Sequence, residues 1–191
     1  MRIKCCGITR AKDAILAEQA GADAIGVVMF SPSSLRSVPE PQARGILDAL
    51  GPFTTTVIVT HTTSGNDLDR IIALRPDAIQ ISHPFVFDAP PGVRVIRSIK
   101  RGEPIPRDCD AIVVDDSHGG GRPFDPTFAR LVVEQAKVPV ILAGGLTPEN
   151  VGRAIREVRP YAVDVATGIE QSPGMKDPEK IRAFIAATRE A

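Results

Sequence analysis

Two glycine-containing segments late in the chain, AGGL at 143–146 and ATGIE at 166–170, carry residue types suited to holding a phosphate. Glycine lets the backbone come close to an anion and turn its amides toward it, and a helix N-terminus behind such a loop adds a favourable dipole. Thr147-Pro148, directly after AGGL, reads as that helix start: a capping hydroxyl followed by a residue with no amide to satisfy. One glycine pair alone is as well explained by a tight turn. Two of them closing successive units favour an anion, which makes Gly144, Gly145, Thr167 and Gly168 candidate substrate-binding residues.

Proton chemistry has fewer candidates. Cys6 follows an apolar run, and Asp115 and Asp116 follow another at 111–114, so one of these aspartates can face a site as a general acid if its pKa is raised there. A thiol serves as base only when ionised, and near its ordinary pKa of about 8.5 few are ionised at neutral pH. Each residue type also has a plainer use. Cysteine packs cores as a small hydrophobe, aspartate caps helices, and an arginine such as Arg36 is often a solvated surface charge. Strand alternation puts Cys5 and Cys6 on opposite faces, so only one of them can face a site. His61, His83 and His118 each follow a strand but are too isolated to be assigned a metal or base role, and no spaced set of zinc ligands is present.

Such residues act together only if the elements carrying them converge. Apolar runs at 3–6, 24–28, 55–60, 78–81, 94–99, 111–114, 140–142 and 162–165 alternate with helical stretches at 11–20, 41–50, 67–74, 126–135, 148–158 and 178–188. That rhythm predicts an α/β fold, a single (β/α)8 TIM barrel occupying residues 1–191 as one domain. Asp125-Pro126 and Asp177-Pro178 repeat the cap-then-proline signal. Three prolines within 82–92 and two within 101–110 predict reduced fourth and fifth helices. Those reductions bring a barrel, commonly about 250 residues, down to this length. An open doubly wound sheet is the structural alternative and requires fewer strands. In a barrel the site lies at the carboxyl ends of the strands, where every candidate above falls.

Lys plus Arg equals Asp plus Glu at 23 each, so no net field draws the chain to nucleic acid or to an anionic membrane. Three cysteines make no disulfide framework, and no segment approaches about 18 uninterrupted apolar residues. The expectation is a cytoplasmic protein, monomer or homodimer, whose partner is a small phosphorylated molecule.

Four segments carry a family resemblance. KCCGITR followed by DA and GADAIG, SLRSVPEPQA, PVILAGGLTPENV, and VDVATGIEQSPGMKD with a trailing IRAF resemble the matching segments of the phosphoribosylanthranilate isomerase family of tryptophan biosynthesis. The likeness covers the whole chain and is strongest over 1–43 and 139–184. It implies an Amadori rearrangement needing neither metal nor organic cofactor, in which an acid protonates the ribose ring oxygen and a base removes the proton at C2′. By residue match Cys6 would be the base, Asp115 the acid, Arg36 the partner of the anthranilate carboxylate, and AGGL and ATGIE the phosphate cradle. The family's Q-L-H-G reads QISH here, which puts Ser82 at the histidine position. Its G-G-T-G-K-T-F-D reads HGGGRPFD, so Asp116 stays open as the acid, and the segments at 82–87 and 118–121 leave substrate choice open. A paralogue isomerising another phosphoribosyl amine and a non-catalytic phosphosugar-binding barrel are the alternatives.

Overall fold

The eight apolar runs are rich in isoleucine and valine, whose branched side chains favour extended backbone. All eight are strands in the computed structural model, which describes residues 1–87, 89–115 and 124–191. They are β1 (Arg2–Cys5), β2 (Ala24–Met29), β3 (Thr55–Thr60), β4 (Ala78–Ile81), β5 (Arg94–Ile99), β6 (Ala111–Val114), β7 (Val140–Leu142) and β8 (Ala162–Val165). Each pairs in parallel with the next and β8 returns to β1, closing the barrel and excluding the doubly wound sheet. Around it, among the described residues, lie α1 (Ala11–Ala20), α2 (Glu40–Leu47), α3 (Gly65–Ala73), α4 (Pro126–Gln135), α5 (Val151–Val158) and α6 (Pro178–Arg189). None of these helices is long and apolar enough to cross a membrane.

Side-chain alternation sorts the strands into two apolar layers. Ile25, Val27, Ile58, Ile79, Ile112 and Val163 face outward beneath the helices and meet Ile71, Val132, Ile155 and Phe184. Val57, Val59, Ile96, Val113 and Ile141 fill the lumen. Burial on both faces is why these strands read as unbroken apolar runs. Polar residues interrupt the lumen, where Lys4 Nζ lies 2.9 Å from Asp164 Oδ2 and Gln80 Nε2 donates to Ser98 Oγ at 3.0 Å.

The fourth and fifth helices are absent from the described residues rather than shortened, since 82–87, 89–93 and 100–110 are all non-helical. Prolines that remove amides and fix φ account for this. Phe85, Phe87, Val93, Ile105 and Cys109 pack onto the core in the helices' place. Arg97, on the outward face of β5, binds both segments. Its guanidinium donates to the carbonyls of His83 (2.8 Å) and Phe85 (2.6 Å) and to Asp108 Oδ2 (2.7 Å). Arg97→Met is expected to lower stability by about 1–3 kcal/mol, because acceptors left without a donor carry an uncompensated desolvation cost. A urea midpoint equal to the parent's would show that the two segments hold without it.

Two of the three proline-marked helix starts are as expected. Asp125 accepts from the amides of Thr127 and Phe128, and Asp177 from those of Glu179 and Lys180. The third is corrected. Thr147 does not cap a helix, because Asn150 Oδ1 accepts its amide at 2.8 Å and holds a turn at 148–150, so α5 begins only at Val151. The helix end therefore stands further from AGGL than the sequence implied. Beyond β8 the chain makes a 3₁₀ turn, Thr167–Ile169, and then a hairpin that strand periodicity did not reveal, β9 (Glu170–Ser172) with β10 (Met175–Lys176).

Candidate active site

Eight parallel strands bring their carboxyl ends to one rim, and a cleft opens there. Cys6, Arg36, Asp115, Gly144, Gly145 and Thr167 all line it. Residues 109 positions apart in the chain, Cys6 and Asp115, thus share a wall because β1 and β6 end on the same rim. Gly144 and Gly145 take positive φ of 98° and 61°, a backbone open to glycine, and bend the chain after β7 along the rim. Asn150 Nδ2 holds that bend through the Gly145 carbonyl at 2.8 Å. Gly168 lies outside the cleft wall and does something else: its Cα rests against the Leu146 carbonyl so closely that any side chain would collide with it. The loops after β7 and β8 are thereby pressed together. Asp116, His118 and Gly121 lie outside the described residues.

The two adjacent cysteines separate as alternation requires. Cys5 is buried in the outer layer, where loss of solvent pushes its thiol up to about 12. Cys6 belongs to the lumen layer and reaches the cleft, its amide donating to the Val165 carbonyl at 2.8 Å. Burial and the nearby Asp164 carboxylate raise the Cys6 thiol too, while Lys4 and Lys176 pull it down. Asp164 also borders the cleft, and its Oδ1 has no hydrogen-bond partner among the described residues.

A sequence model of N-(5'-phosphoribosyl)anthranilate (PRA) isomerase matches residues 3–187. The chain belongs to that isomerase family. The isomerase of Methanoregula boonei is 66% identical across 100% of this chain and 98% of its own length. The Thermus thermophilus isomerase structure has a TM-score of 0.86 at 33% identity, covering 100% of this chain and 99% of that one. Another isomerase structure, at TM-score 0.82, 30% identity and complete coverage of both chains, is a complex with reduced 1-(o-carboxyphenylamino)-1-deoxyribulose 5-phosphate.

In this isomerase Arg36 is not a solvated surface charge. Its Nε and Nη2 donate to the two carboxylate oxygens of Glu170, at 2.8 and 2.6 Å. Lys176 Nζ, wholly buried, lies 3.0 Å from Glu170 Oε1 and donates to the Ala166 carbonyl at 2.9 Å. Burial alone would raise the Glu170 carboxyl, but the two cations hold it below the usual carboxylate range. Glu170 thus locks the hairpin to the β2 loop, and Lys176 ties it to the loop after β8.

Residue types alone do not single out Glu170 and Lys176, although both stand in VDVATGIEQSPGMKD, which resembles the family. The available signal was a lone acid and a lone base either side of SPG, a turn that brings them together. Nor do residue types single out Lys4 and Asp164, charges within apolar strands at lumen-facing positions. His61 had a position and no role. Its Nδ1 lies 3.0 Å from Ser82 Oγ and its amide donates to Ser31 Oγ at 3.0 Å. An imidazole from the β3 loop therefore stands beside the position after β4 where the family pattern carries histidine, and it lines the cleft.

Proposed function

We infer that the chain converts N-(5'-phosphoribosyl)anthranilate into 1-(2-carboxyphenylamino)-1-deoxyribulose 5-phosphate in tryptophan biosynthesis, with Cys6 as base and Asp115 as acid. The observation that carries this reading is the convergence of a thiol, a carboxylate and two glycine-bearing loops on one rim. The phosphate sits against the loops of Gly144, Gly145 and Thr167, with Gly168 holding the two loops in register. Asp115 delivers a proton to the furanose ring oxygen as the C1′–O bond breaks, leaving an iminium at C1′. The Cys6 thiolate takes the proton from C2′, the C2′–H pair forms C1′=C2′ and the iminium π pair returns to nitrogen, giving an enolamine that tautomerises to the ketose. Glu170 engages two of the Arg36 nitrogens, so the anthranilate carboxylate meets the guanidinium along its Nη1 edge.

This chemistry asks for no metal or organic cofactor, and the partner it requires is the small phosphorylated substrate. A cytoplasmic monomer or homodimer suits it. The test is complementation of an isomerase-deficient tryptophan auxotroph. Growth without tryptophan is the expected result. Failure by a protein that is folded and abundant would favour a paralogue acting on another phosphoribosyl amine.

A further inference from the structure

Lys4 and Asp164 are a fully buried ion pair inside the barrel, 3% and 8% exposed, where apolar side chains would serve stability as well or better. Their placement relative to Cys6 gives them a different use. Lys4 precedes Cys6 by two residues on the same strand face, and Asp164 is its register partner across β1 and β8. Ammonium and sulfur both crowd the space over Gly26 of β2. A side chain there would stand 2.8 Å from Cys6 Sγ and 3.1 Å from Lys4 Nζ, so glycine is what lets the two come together.

We propose that Lys4 is a positioning residue for Cys6: its ammonium, anchored by Asp164 and packed with the sulfur over Gly26, compensates the charge that the sulfur carries once its proton has left. This rests on the reading of Cys6 as the base. That role faces an obstacle in the free protein, because burial raises the thiol and Asp164 raises it further. Lys4 opposes both through its charge. Burial acts against its own charge, but Asp164 keeps Lys4 above the ordinary lysine range and therefore protonated throughout the working pH. The other charges bearing on the sulfur are Lys176 from β10 and Arg36 from the β2 loop, while Asp115 from the end of β6 bears on Asp164. Both of those cations are bound by Glu170 away from the sulfur, whereas Lys4 is the one packed beside it over Gly26.

The test follows the alkylation of Cys6 by iodoacetamide against pH in a Cys109→Ser background, where the deeply buried Cys5 does not compete. Asp164→Asn removes the opposing carboxylate and makes the Cys6 thiolate the counter-charge that holds Lys4 protonated, so Cys6 should titrate lower and react at least about tenfold faster at pH 7, one pKa unit being a factor of ten. Adding Lys4→Met to that variant leaves no orphan charge, and it should return the reaction to at least about tenfold slower than in Asp164→Asn alone. Coincident titrations in the single and double variants would overturn the inference. If Asp164→Asn does not fold, Gly26→Ala makes the comparison with the parent, separating ammonium from sulfur with both charges kept. The thiol should then titrate about one unit higher and kcat fall about tenfold at nearly constant KM. A thiol that does not move there overturns the inference equally. Cys6→Ser separates the two readings. Parental turnover in that variant removes the base assignment even if the thiol shifts, whereas lost turnover with unmoved thiol titrations removes only the role of Lys4.

Discussion

Replacing Cys6 with serine is expected to lower kcat by at least about a hundredfold, and Asp115→Asn to do the same, because a placed proton-transfer group contributes roughly 10²–10⁴ in rate. A serine hydroxyl fills the thiol's place but ionises far too weakly to take a proton from carbon. Asparagine keeps the shape of Asp115 and has no acidic proton to give. Gly144, Gly145 and Thr167 stand on the separate strand-end loops after β7 and β8, which neither change alters, so inhibition by inorganic phosphate should be preserved. Turnover followed by anthranilate fluorescence, with inhibition constants measured in parallel, checks both halves. Parental turnover in Cys6→Ser would end the base assignment. The same result in Asp115→Asn would transfer the acid role to Asp116.

The second large effect concerns stability. Glu170→Ala would leave Arg36 and Lys176 facing each other without the carboxylate that now contacts both. Removing one partner of a buried pair costs about 3–5 kcal/mol, and in a chain of this size that lowers Tm on the order of 10 °C. Glu170→Gln keeps the shape and an acceptor oxygen, so its loss should be smaller, with the released Arg36 reported as a raised KM. Calorimetry of the two variants decides. A Glu170→Ala protein melting with the parent would mean that the two cations are satisfied without the carboxylate.

Much of the architecture was legible because the barrel buries its strands on both faces. Runs such as TTVIVT and RVIRSI mark β3 and β5 to the residue, and prolines foretold the missing helices. Local chemistry misled at Thr147, where a cap and proline suggested a helix that the Asn150 side chain postpones by a turn. The site divided in the same way. Cys6 and Asp115 stand at strand ends and Arg36 in the loop after β2, positions that barrel topology makes significant, but only the family resemblance attached roles to them. Lys4, Asp164 and Glu170 act through partners 160 and 134 residues away in the chain, a pairing that only closure of β8 onto β1 and the fold of the hairpin create. Spacing along the sequence carries no trace of such contacts.

The contact between Gly168 and the Leu146 carbonyl has a consequence for selectivity. With the loops after β7 and β8 pressed into one body, a sugar phosphate held there as proposed would have a fixed point of attachment. The distance from there to Cys6 then acts as a ruler. A tetrose or hexose phosphate would be gripped as firmly as a pentose phosphate, yet it would set a different carbon under the sulfur. Discrimination by chain length would therefore fall on kcat and leave binding almost untouched, with no side chain devoted to measuring the sugar.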